Sequence, residues 1–164
     1  MNTLKRSKHI GMIALLCTML LGCQYGLGIK LIQNMEDKDI SFQVHDNGSS
    51  LGINITSFTV YKCGDIKHGN YPAPEMAIWR VTSKNIEGGK MGSQIKYGSF
   101  SDVTITNIPP KPLANGGCYV VYAGASDKNG YPRLATMGFK LNAGGKAILM
   151  NESEYREVFI GSAG

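Results

Sequence analysis

From residue 40 onward, apolar side chains return at every second position rather than every third or fourth. Ile40, Phe42 and Val44 alternate, as do Ile53 with Ile55, Phe58 with Val60, and Ala77 with Trp79 and Val81. The same period runs through Val103 and Ile105, Val120 and Tyr122, Leu134 with Thr136 and Gly138, and Ala147 and Leu149. Successive side chains of a strand point to opposite faces, so the pattern predicts seven or eight short strands. Turn formers separate them: Asp46-Asn47-Gly48, Gly88-Gly89, Pro109-Pro110-Lys111-Pro112, Lys128-Asn129-Gly130 and Asn142-Ala143-Gly144-Gly145. With 21 glycines and no helical period of any length, the chain reads as all-β, an antiparallel β-sandwich or small barrel.

The N-terminal pattern is different. Ile10 to Gly22 is a run of 13 mostly apolar residues, well short of the roughly 20 needed to cross a hydrocarbon core. Lys5, Arg6 and Lys8 precede it, and no acid occurs before residue 23. Charge, then an apolar stretch, then small residues is the order of a secretory leader that is cut away. Leu20, Leu21, Gly22 and Cys23 resemble, residue by residue, the lipobox of bacterial lipoprotein signals. The resemblance implies that Cys23 becomes the mature N-terminus and carries a diacylglyceryl thioether and an acylated amine. Gln24 stands where lipoproteins retained at the inner membrane commonly have Asp, which implies sorting to the outer membrane, on its periplasmic face. Residues 1–22 are then a signal peptide, 23–38 a lipidated tether with a short edge strand at Ile29 to Ile32, and 39–164 the sandwich domain.

Removing the leader changes the charge. The whole chain has a formal charge of +5, but without Lys5, Arg6 and Lys8 there remain 14 Lys plus Arg against 12 Asp plus Glu, or +2. No basic run with interleaved aromatics is left to track phosphates, so nucleic acid is not an expected partner. Membrane attachment must come from lipid rather than from a polybasic patch. The 142 residues from 23 to 164 suit one domain. Cys17 leaves with the leader and Cys23 is the lipid site, so Cys63 and Cys118 remain as an even pair in an oxidising compartment. A disulfide between them would close a loop worth about 4 kcal/mol on the chain-entropy model; two buried free thiols are the alternative.

Leu113, Gly116, Tyr119 and Val121 hold the L-x-x-G-x-x-Y-x-V spacing that resembles the tyrosine corner of fibronectin type III and other immunoglobulin-like domains. In such a corner Leu fills the core, Gly permits the sharp turn, and the Tyr hydroxyl bonds a nearby backbone group. The resemblance covers residues 76 to 141 and implies an immunoglobulin-like sandwich with Trp79 in its core. A Cys63–Cys118 bridge requires Cys63 to lie beside the corner. We therefore expect residues 52–61 to form strand A, with Trp79 on strand B. On that arrangement the loops His68 to Pro72 and Lys128 to Pro132 lie at opposite poles.

Candidate chemistry is sparse. The sequence contains no G-x-S-x-G elbow, H-E-x-x-H pair, Walker loop or dinucleotide fingerprint. His45 and His68 have no evident nucleophile or orienting partner, and no close-spaced ligand pair suggests zinc. Asp127-Lys128-Asn129-Gly130 resembles part of a calcium loop but lacks its remaining donors and closing Glu, and reads as a turn. We expect no catalytic residues, metal or cofactor, and a protein that binds. Trp79, Lys96 to Gly98, Pro109 to Leu113, Gly116 to Val121 and Phe139 to Gly145 together resemble periplasmic lipoproteins described as immunity proteins of type VI secretion. The resemblance implies a protein partner, a toxin acting in the periplasm, that is bound and neutralised. Asp127, Lys128, Asn129, Tyr131 and Arg133, on the loop Gly124 to Arg133, are the candidate contact residues. Two other readings stand beside this one: an assembly lipoprotein of an envelope or secretion machine, and a glycan- or peptide-binding module stacking ligands on Tyr71, Tyr131 or Trp79.

Overall fold

In the computed structural model, which describes residues 26–33, 39–47, 54–67, 70–84, 94–99 and 104–160, the longest ladder joins the strands Cys118–Ser126 and Pro132–Leu141. Among the described residues the strands are β1 (Gly26–Ile32), β2 (Ser41–Asn47), β3 (Asn54–Lys62), β4 (Trp79–Ser83), β5 (Gln94–Lys96), β6 (Thr104–Ile108), β7 (Cys118–Ser126), β8 (Pro132–Leu141) and β9 (Ala147–Leu149). A helix, α1 (Glu152–Ile160), ends the described chain. The strands form two antiparallel sheets, β1-β2-β5 and β6-β4-β3-β7-β8-β9. The chain is an all-β antiparallel sandwich, as the alternation predicts.

The ring-rich layer between the sheets is the main core. Phe42 of β2 meets Phe58 of β3 at 5.2 Å and Phe139 of β8 at 5.6 Å, and Phe58 meets Trp79 at 5.7 Å. All four side chains are fully buried. Tyr119 is the corner residue: its hydroxyl accepts a hydrogen bond from the Ala114 N–H at 2.6 Å while its ring packs on Phe139. Gly116 turns the chain with φ +74°, and any Cβ at Gly117 would collide with the Tyr119 hydroxyl and the Ala114 carbonyl.

Strand lettering requires a correction. In immunoglobulin-like sandwiches strand F lies between C and G, and β7, which carries the corner, lies between β3 and β8. Residues 54–62 therefore hold the C position, not A, and Trp79 sits on the next strand of the same sheet, not on B. Cys63 does lie beside the corner, as expected, but at the end of the C-position strand rather than of strand A. Lys62 pairs with Tyr119, so Cys63 and Cys118 occupy the next rung of one antiparallel ladder. They form a disulfide there, with Cα atoms 5.4 Å apart.

Three further expectations change. The edge strand expected at Ile29 to Ile32 is present but longer: Gly26–Ile32 pairs with β2 over its whole length, so these residues belong to the sandwich rather than to a tether. Ile105 is 46% exposed on edge strand β6, whose half-covered positions are Thr104, Thr106 and Ile108. α1 was not expected. Its N-cap is Asn151, whose Oδ1 accepts from the Glu154 N–H at 2.9 Å while Glu154 Oε2 accepts from the Asn151 N–H at 3.0 Å. This reciprocal capping box satisfies two backbone donors that a nine-residue helix would otherwise leave open. The leader and Cys23 lie outside the described residues.

The two poles are chemically distinct. At one, Gln33 after β1 reaches the β8–β9 turn through Gly145 O and the Ala147 N–H, and the staple and corner lie at this same end of β3, β7 and β8. At the other lie the start of β1, the end of β2, the start of β3 and the β7–β8 hairpin.

Candidate functional site

β7 is buried on both faces, which the sequence pattern does not distinguish. Tyr119, Val121 and Ala123 point between the sheets, whereas Val120 and Tyr122 point to the outer face of the larger sheet. There they join Tyr61, Ile66 and Ala77 in a second, smaller cluster, bordered by Cys63, Ile108, Val158 and Phe159. Two segments roof it. One is the connection from β3 to β4, tied down at its start by the disulfide; the other is α1. Val158 and Phe159 lie on the same helix face as Tyr155, one turn on, and Tyr155 stacks on Phe159 at 4.3 Å. The Tyr155 hydroxyl is hydrogen-bonded to Thr136 Oγ1 of β8. Gly138 lies beneath, where a Cβ would collide with Met150.

The roof is incomplete. Between the β3–β4 connection and α1 a cleft of about 250 Å³ opens over Tyr122 and Thr136, with Lys67, Asn70, Tyr71 and Phe159 around it. Tyr71 is 72% exposed and meets the Tyr122 ring at 5.6 Å and 60°, while Phe159 meets Tyr122 at 6.2 Å. Tyr61 packs edge-on against Tyr122 as well. Burial, reinforced by Tyr155, Tyr71 and Tyr61, pushes the Tyr122 hydroxyl up to about 12, so it remains a protonated donor at neutral pH. The side chains of Lys67, Asn70, Tyr71 and Tyr122 make no hydrogen bond among the described residues.

The hairpin at the far pole has another character. The Asp127 carboxylate accepts from the backbone N–H of Asn129 at 2.9 Å and of Tyr131 at 3.0 Å, and from Arg133 Nη2 at 3.4 Å. Covering raises its pKa, but those backbone bonds and the guanidinium outweigh this and hold the carboxyl below its ordinary value. Gly130 completes the turn with φ +81°. Asp127 is thus an organiser of the loop, and Arg133 is engaged with it. Lys128, Asn129 and Tyr131 are exposed, Tyr131 by 65%. The five candidate residues share the β7–β8 hairpin.

A larger hollow of about 340 Å³ lies at the corner pole, beside Asp39, Tyr97 and Asn115. Its polar groups already have partners: Tyr97 donates to Lys111 O at 2.7 Å, Asn115 to Ala143 O at 3.0 Å, and Asp39 pairs with Lys96. The smaller cleft is chemically the more open of the two. Trp79, considered from sequence as a stacking ring, is fully buried.

Of the residues around the cleft only Tyr71 stands out in the sequence; Tyr122, Phe159, Lys67 and Asn70 become its neighbours through the fold. Asn151 and Glu154, at capping-box spacing before Tyr155, Val158 and Phe159, were the signal for the helix that brings Phe159 there. Among the described residues no group of three or more His, Cys, Asp or Glu could hold a metal ion, and no helix is long and apolar enough to cross a membrane. No family model matches the chain, and no curated protein matches it by sequence.

Proposed function

We propose that the chain is a binding protein held by lipid on Cys23 at the periplasmic face of the outer membrane, where it captures a protein partner through the cleft on its larger sheet. The partner we favour is a secreted antibacterial toxin, which the bound protein neutralises. One observation carries the choice of face. Tyr71, an exposed ring beside a concave floor of Tyr122 and Phe159, stands among side chains whose hydrogen-bonding capacity is unused. Binding energy concentrates where aromatic anchors meet pockets, and a stapled sheet loses little freedom on association. The hairpin offers Tyr131 and Lys128 as additional contacts.

The test is deletion of the gene in its own host, followed by dense growth with wild-type kin. The deletion strain should be killed, and a plasmid copy should rescue it. A copy carrying Cys23→Ser or Tyr71→Ala should rescue poorly. If the deletion strain competes equally while surface assembly or secretion fails, the assembly reading replaces this one.

A further inference from the structure

The hollow at the corner pole has about 340 Å³, within the roughly 300–1,000 Å³ of sites that take small ligands, and shares no lining residue with the cleft. We infer that it is a second binding site, one that takes a primary alkylammonium: the cation on Asp39, the apolar stem along Ile40, Leu113 and Leu141. The stem follows from the walls. Ile40 and Leu141 are buried members of the main core, Leu113 packs against that core, and Pro112 adds a further apolar surface. Methylene groups laid there leave water, as the stem of a lysine does on an apolar surface while its head stays wet.

The head follows from charge and from the hydrogen bonds already made. Asp39 is the one charged residue that lines the hollow, so an anion would meet a like charge and no cation. The Tyr97 hydroxyl, which burial holds protonated well above neutral pH, gives its hydrogen to Lys111 O, and Asn115 Nδ2 donates to Ala143 O. The backbone N–H groups of Tyr97, Leu141 and Gly145 go to Ile40 O, Gly117 O and Asn142 O, and that of Gly144 goes to Asn142 Oδ1. What these groups leave is chiefly oxygen: the Asp39 carboxylate, Asn115 Oδ1 and the lone pairs of Tyr97. An ammonium brings three donors and no acceptor. The molecule already places one there, for the Lys96 ammonium of β5 is bonded to Asp39 Oδ2. Both side chains of that pair are about half exposed, 52% and 48%, and exposed ion pairs are weak. An incoming ammonium can replace Lys96 and gain contacts inside the hollow, which Lys96 does not line. A lysine side chain of a protein and a free alkyl diamine carry the same chemistry.

The test uses the full chain in a neutral detergent, titrated separately with Nα-acetyl-lysine N-methylamide and with 1,5-diaminopentane, and followed by amide NMR shifts. The first stands for a lysine of a protein and the second for a free diamine. Saturable shifts at Ile40, Asn115 and Leu141 with either support the site, and the tighter binder identifies the source. Acetylating the lysine Nε, or replacing Asp39→Asn, should weaken binding about threefold to fivefold. Lys96→Met removes the internal competitor and should tighten it. Both positions are half exposed, so these variants keep the fold. No saturable shift, equal affinity for the acetylated lysine, unchanged affinity of Asp39→Asn, or unchanged or weaker binding by Lys96→Met would each overturn the inference. Tyr71→Ala, at the other cleft, should bind these ligands as wild type, and a loss there would move the binding out of the hollow and overturn it too. Toxin protection in cells is a separate readout, so either proposal can fail without the other.

Discussion

The two faces of β7 carry the same residue types to opposite ends. Tyr119 points inward, is 2% exposed, and directs its hydroxyl to one backbone group five residues upstream. Tyr122, three residues later and on the other face, borders a cleft and has no such bond. The inner layer is filled with Phe42, Phe58, Trp79 and Phe139, each fully buried. The outer cluster is built around Tyr61 and Tyr122, under a roof of two short segments that carry Tyr71 and Tyr155. A ring closed on all sides serves stability. A ring with a free edge and a free hydroxyl can serve another molecule.

The comparison breaks first, and most severely, at Trp79. Trp79→Ala removes the largest inner side chain and should cost about 3–5 kcal/mol, read as a lower midpoint in denaturant unfolding. An unchanged midpoint would mean that the inner layer is not the stabilising one. Replacing both Cys63 and Cys118 with Ser should cost about 2–4 kcal/mol. Because the bridge ties down the β3–β4 connection, this double variant should also raise amide exchange around Asn70 and Tyr71 more than around Phe42. Asn151→Ala removes the cap of α1, and a loss of about 1 kcal/mol is expected. Circular dichroism should show less helix while the near-ultraviolet signal of the Trp79 layer persists; loss of both would show that the two faces fold as one. Tyr71→Ala should shift stability by less than about 0.5 kcal/mol, which would mark Tyr71 as a residue kept for contact rather than for folding.

Much of the inner layer was legible in the sequence, and the outer face much less so. Phe42, Val44, Phe58, Val60, Trp79 and Val81 alternate because one side of each strand is dry, and the L-x-x-G-x-x-Y spacing located the corner. Period two fails where both faces are dry. In Cys118-Tyr119-Val120-Val121-Tyr122-Ala123 every position is apolar or aromatic, so the choice of Val120 and Tyr122 selected the outer set. The step from Ile55 to Phe58 spans three residues, and the ladder between β3 and β7 shifts register there. That shift is a bulge, which breaks the alternation into two pairs within the single strand expected over 52–61. β3 was lettered A because strand order depends on long-range pairing, and a disulfide constrains only the ends of strands. The cleft depends on α1 and on the connection before β4, segments whose contacts are set by tertiary packing.

β1 begins at Gly26, three residues beyond Cys23, and does so at the hairpin pole. An extended chain spans at most about 3.6 Å per residue, so three residues reach about 10 Å. A lipid on Cys23 would therefore leave almost no leash, and the domain would stand on the bilayer with Lys128 and Tyr131 near the headgroups and the Cys63–Cys118 end farthest away. The cleft opens on the flank of such a standing molecule. A partner would reach it by approaching sideways along the membrane surface, and a neighbour anchored in the same leaflet would compete for that approach.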